Sequence, residues 1–82
     1  MRMDEKTFII LEELNKTGRS TQPILYEATK PTIYPALQRR LDNLKEAGLI
    51  EEHLGGVNKY YEVTNFGVQV SMMLDTNKNL DL

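Results

Sequence analysis

Between Asp4 and Thr17 the apolar residues Phe8, Leu11 and Leu14 recur three positions apart, with Ile10 one turn before Leu14. That spacing puts them on one face of a helix. Asp4 can cap such a helix and Gly18 can stop it. Ser20 or Thr21 offers a second cap, and Pro23 fits a first turn, so the pattern predicts a short helix over about residues 22–28 that buries Ile24, Leu25 and Ala28. Thr32 can cap a third helix, predicted from Ile33 to Ala47, with Pro35 in its first turn and Gly48 beyond its end. On it Ile33, Leu37, Leu41 and Leu44 share a core face, with Ala36, Arg40 and Ala47 at its margin. Pro35, Gln38, Arg39, Asp42 and Glu46 lie opposite.

Past Gly48 the period shortens. Leu49–Leu54 and Val57–Val63 read as two strands, and Gly55 and Gly56 between them suit a primed hairpin turn. Tyr61 and Val63 then share one face of the second strand, and Tyr60 and Glu62 the other. Thr64 can cap a fourth helix, Asn65 to Leu74, with Phe66, Val70, Met73 and Leu74 as its apolar stripe. Residues 76–82 are polar and acidic and read as a frayed tail after an ordered core of about residues 4–75. The predicted fold is a single α+β domain, mainly α with a small β-hairpin. Three helices, a two-stranded wing and a C-terminal fourth helix follow one another in the order of a winged helix-turn-helix.

Composition adds constraints on chemistry. The 82 residues include no cysteine, which removes disulfides, thiolate metal ligands and cysteine nucleophiles and fits an intracellular, cytoplasmic protein. The apolar patch Phe8–Leu11 is too short and too closely flanked by acids for a signal peptide or membrane span. The net charge of −2 is unevenly distributed: residues 14–45 carry a net +4, residues 46–62 a net −3. Where the charges lie bears on partners more than their total does.

The stretch TIYPALQRRLDNLKEAGLIEE resembles the recognition helix and first wing strand of winged-helix transcriptional regulators. KYYEVTNFG resembles their second wing strand running into the last helix. Thr32–Pro35 and the pair Tyr60–Tyr61 are most similar to the PadR-like branch, with small archaeal and archaeal-virus winged-helix regulators also alike. The long C-terminal dimerisation region of PadR-like proteins has no counterpart, so a dimer would draw on the first and fourth helices. The resemblance implies double-stranded DNA as partner, read in the major groove by the third helix.

A reading helix needs polar side chains on its outward face near its N-terminus. Arg39 suits guanine, Gln38 adenine, and Tyr34 a phosphate or thymine methyl. Lys30 and Thr32, with Ser20, Thr21 and Gln22, lie where helix N-termini present free amides to phosphate; as plain N-caps the threonines would instead serve their own helices. Asn58 and Lys59, at the wing tip, can reach the backbone or minor groove. Arg40, near the core margin, is expected to pair with a carboxylate of the chain itself. Val68 and Met72 exceed what one core-facing stripe requires and, with Met73, mark a subunit interface of a homodimer. The opposed reading is a winged-helix module for protein contact, using the acidic wing and the fourth helix.

Catalysis finds no foothold. His53 is the sole histidine, with no second histidine or cysteine to complete a metal site and no serine beside it. Glu51 and Glu52 are adjacent on a strand and point to opposite faces, so they do not act together on one substrate. No enzyme, no metal and no cofactor are expected. Whether a small effector binds is not encoded in any separate pocket domain.

Overall fold

The computed structural model describes residues 3–56 and 58–80, with side chains through residue 74. The elements run α1 (Glu5–Thr17), β1 (Arg19–Thr21), α2 (Gln22–Ala28), α3 (Tyr34–Glu46), β2 (Ile50–Gly55), β3 (Asn58–Val63) and α4 (Asn65–Leu80). The winged-helix order holds, and the sheet has a third strand: β1 pairs antiparallel with β3, giving the order β1-β3-β2.

Helix α1 forms as its pattern dictates. The Thr7 amide donates to Asp4 Oδ1 at 2.8 Å, and Gly18, at φ 86°, ends the helix by donating to the Leu14 carbonyl. Its stripe Ile10, Leu11 and Leu14 meets Leu25 of α2, Leu37, Leu41 and Leu44 of α3, and Leu49, Ile50 and Tyr61 from the sheet side, all buried. Arg40 lies at the rim of this core. Its guanidinium donates to both Asp4 oxygens, at 3.1 to 3.3 Å, so one carboxylate caps α1 and fastens α3 to it.

Several apolar positions behave differently from the sequence expectation. Ile24 (52 %) and Ile33 (65 %) are exposed, and so is Ala28. Helix α2 has fewer than two turns and buries Leu25, with Thr29 just beyond donating to the Leu25 carbonyl at 2.8 Å. Ile33 is the N-cap of α3 and has extended backbone, so it leaves the face shared by the leucines, and Thr32 does not cap the helix. In the hairpin Gly55 still pairs with Asn58, so the reversal begins at Gly56, at φ 68°, instead of at Gly55.

Helix α4 starts on the expected cap: the Gly67 amide donates to Thr64 Oγ1 at 3.0 Å, and that hydroxyl donates to the Gly48 and Leu49 carbonyls. The face turned inward is not Phe66 and Met73, which are 55 % and 65 % exposed, but Gly67 and Ser71 with Val70 beside them. Backbone approach explains the choice of small residues. A β-carbon on Gly67 would stand 2.1 Å from the Leu49 carbonyl oxygen and 2.7 Å from Val63 Cγ2. The helix also runs six residues past Leu74, where the sequence pattern loses its apolar stripe.

Two outcomes follow from these junctions. Gly67→Ala should destabilise the domain by about 3 kcal/mol in urea unfolding, because the clash is with backbone that cannot rotate away. The Asp4 carboxyl is held far below the usual carboxylate range, first by Arg40 and then by Thr7. A lowered folded-state value means that its contribution is present above the unfolded value of 3.8 and is lost as the solution acidifies below it. Asp4→Asn keeps a capping side chain but loses the charge, so its melting temperature should fall less than wild type's between about pH 5 and pH 2.

Candidate nucleic-acid interface

With Leu37, Leu41 and Leu44 inward, α3 presents Tyr34 and Arg39 outward, Tyr34 at 48 % exposure. Among the described residues Arg39 enters no ion pair, so its planar donor fork is available to a partner. Arg40, one position on, is the residue committed to Asp4. The sequence pattern placed that division correctly.

Gln38 is held from both sides. Gln22 Nε2 donates to Gln38 Oε1 at 3.0 Å, and Gln38 Nε2 donates to Asp42 Oδ1 at 2.9 Å. These two bonds fix the orientation of its amide. Beneath it the Tyr61 phenol is pushed up by burial and by Glu52, and pulled down by Gln38. Gln22 also lines a shallow groove of about 270 Å³ with Thr21, Pro23, Asn58 and Lys59. The start of α2 and the tip of the wing therefore share one concavity, and Gln22 connects it to the outward face of α3. Thr21 is the N-cap position of α2 but makes no side-chain capping bond, leaving its hydroxyl for another acceptor.

Ser20 departs from expectation. It is buried in β1 opposite Tyr61, which removes it from the phosphate-facing surface. A three-residue strand without an apolar side chain carries no periodicity of its own, so pairing with β3 was invisible in the sequence.

The connection between α2 and α3 carries an aromatic stack. The Tyr26 and Tyr34 rings lie 4.3 Å apart and within 2° of parallel, and the Lys30 ammonium sits 5.4 Å from the Tyr26 centroid. Lys30 also pairs with Glu27 at 3.0 Å, which raises its pKa. From α1, Lys6 donates to the carbonyls of Thr29, at 2.6 Å, and Pro31, across the cis Lys30–Pro31 peptide. Lys6 and Tyr26 support the start of α3, and sequence reasoning assigned neither a role. Lys6 lies 23 and 25 residues from its acceptors, beyond any local pattern.

Charge on the wing divides by face. Glu52, on the inner face, accepts from Lys45 at 3.0 Å and lies 3.9 Å from Lys59. Lys45 holds its carboxyl low, and Glu52 raises Lys45 in turn. Glu51 points the other way, as expected, but it is not alone: its cross-strand neighbour Glu62 and His53 gather their donor atoms within 4.8 Å. On α4, Met72 and Met73 are exposed and Val68 is half-buried.

Four helices, the hairpin wing and the antiparallel sheet define a winged-helix fold. The chain matches no protein-family model and no curated protein. Solved structures do match. AF1382 from Archaeoglobus fulgidus superposes with TM-score 0.82 at 15 % identity, over 94 % of this chain and 88 % of that one. The structure of ytfH from Salmonella typhimurium gives 0.82 at 20 %, over 94 % of this chain and 70 % of that one. MepR of Staphylococcus aureus, solved with DNA, gives 0.80 at 19 %, over 90 % of this chain and 63 % of that one. At these identities the likeness establishes the fold, and the chain spans under two thirds of MepR.

The stack can be isolated. A double-mutant cycle on Tyr26→Ala and Tyr34→Ala, read by chemical unfolding, should return a coupling of about 1 kcal/mol.

Proposed function

We propose that the protein is a transcriptional regulator that binds double-stranded DNA in a sequence-specific manner as a homodimer. The carrying observation is the continuous polar strip from Asn58 and Lys59 through Thr21 and Gln22 to Gln38, with Tyr34 and Arg39 exposed on the same helix α3. A helix in the major groove with a wing beside it uses that arrangement: Arg39 and Gln38 face base edges, while Thr21, Gln22, Asn58 and Lys59 hold phosphates. Thr32 and Lys30 flank the start of α3, where Lys30 exchanges its Glu27 partner for phosphate. Tyr34, fixed on Tyr26, offers a hydroxyl or ring face at a defined position.

The fold likeness to regulators, one of them solved with DNA, supports this reading. The PadR-like branch remains the sequence resemblance of the Thr32–Pro35 stretch, beside a shape shared with MarR-type regulators. Phe66, Met72 and Met73, exposed on α4 beside the half-buried Val68, supply the apolar surface for a twofold contact. Among the described residues no helix is long and apolar enough to cross a membrane, and the reading places the protein with DNA in the cytoplasm.

Duplexes selected from random DNA should converge on a palindrome, and affinity for that site should fall steeply with salt as phosphate contacts release counterions. Arg39→Ala should cost about 1–3 kcal/mol and relax preference at one position per half-site, measured by fluorescence anisotropy. Unchanged affinity in that variant together with a flat salt response would favour the protein-contact module instead.

A further inference from the structure

The outer face of the wing gathers three side chains that the DNA reading leaves unused. Glu51 and Glu62 are direct cross-strand partners, and His53 lies two residues along β2 on the same face. Like charges directly opposite on a sheet repel. The structure nevertheless aims both carboxylates at one atom: His53 Nε2 stands 3.6 Å from Glu51 Oε1 and 3.4 Å from Glu62 Oε1. That nitrogen is screened from solvent and has no hydrogen-bond partner among the described residues. Arg19, the β1 neighbour of Glu62, does not neutralise it, since its guanidinium lies over the Tyr60 ring at 5.3 Å. The His53 ring is itself stacked on Tyr60, with centroids 5.3 Å apart, which holds Nε2 toward the carboxylates.

We propose that Glu51, His53 and Glu62 form a binding site for a borderline divalent transition-metal ion of the zinc type. Two donors on one tetrahedral ion with bonds of about 2.1 Å stand about 3.4 Å apart, close to the separations from Nε2. The donor atoms already lie within 4.8 Å of one another, and exposed glutamate side chains can close the remaining gap by rotation. One imidazole nitrogen and two carboxylate oxygens suit zinc, cobalt, nickel or manganese better than magnesium or calcium, which favour all-oxygen shells. Three protein ligands leave the remaining position to water. A bound ion would pin β2 to β3 at Glu51 and Glu62 and cancel two negative charges on the wing.

The sole histidine makes the test specific. The untagged protein is titrated with zinc chloride in a non-chelating buffer, followed by calorimetry and by the His53 imidazole signals in long-range ¹H–¹⁵N spectra. The expected result is one saturable site in the micromolar range, with a large Nε2 shift and a raised melting temperature, and no such response to magnesium. His53→Ala should abolish it, and Glu51→Gln combined with Glu62→Gln should weaken it by more than about tenfold. All three positions are partly or fully exposed, and circular dichroism checks that the variants stay folded. No saturation below roughly 1 mM zinc, an unmoved Nε2 signal, or wild-type affinity in the double glutamine variant would overturn the site. Each of these readouts is independent of DNA.

Discussion

Burial of Leu37, Leu41 and Leu44 against Ile10, Leu11, Leu14 and Leu25 fixes how α3 is turned about its own axis. Each fully buried leucine is worth about 1.5–3 kcal/mol, so rolling the helix to expose all three would cost about 5–9 kcal/mol. A domain of this length has about 4–12 kcal/mol of total stability. The rotation is therefore not negotiable, and the exposure of Tyr34 and Arg39 follows from it. Arg40 marks the boundary, near enough to the core to reach Asp4 on α1.

The wing is placed by contacts of another kind. Tyr61 anchors β3 in the core, while β1 draws the start of α2 beside it through the pairs Ser20–Tyr61 and Thr21–Tyr60. Because β1 runs directly into α2, pairing that strand with β3 brings Thr21 and Gln22 to Asn58 and Lys59. A strand of three residues thus builds the groove. At the other end Thr64 and Gly67 hold α4 against the Leu49 carbonyl, which ties the base of the hairpin to the last helix.

The sequence revealed the elements whose signal is local. The caps Asp4 and Thr64, the stop at Gly18 and the leucine face of α3 were all readable, as was the pairing of Arg40 with a carboxylate. What escaped it depends on chain segments far apart. Strand β1 exists because β3 is there, the inward face of α4 is set by a backbone oxygen of Leu49, and Lys6 serves carbonyls in another element. Hydrophobicity misled at Ile24, Ile33, Phe66 and Met73, since large apolar residues were assumed to be buried. In the candidate interface the outward placement of Tyr34 and Arg39 was legible, while Ser20 turned inward. The interface's connectivity through Gln22 was not legible, because it needs the third strand.

The acid-rich hairpin is reconciled with the proposed polyanionic partner by where its charges point. Glu52 shares the inner face with Lys59 and is answered by Lys45 and Lys59, so it adds little field at the tip. Glu51 and Glu62 gather around His53 on the face of the hairpin opposite Lys59. Screening over about 8 Å at physiological salt attenuates what remains. Meanwhile Arg40, Lys45 and Lys30 are occupied by Asp4, Glu52 and Glu27, which reduces the basic block to far fewer available cations than its composition suggests. With so little unspecific attraction to draw on, binding must rest more on the geometry of a few oriented groups. The Gln22–Gln38–Asp42 chain and the Tyr26–Tyr34 stack supply that orientation before any partner arrives, lowering the entropy lost on contact.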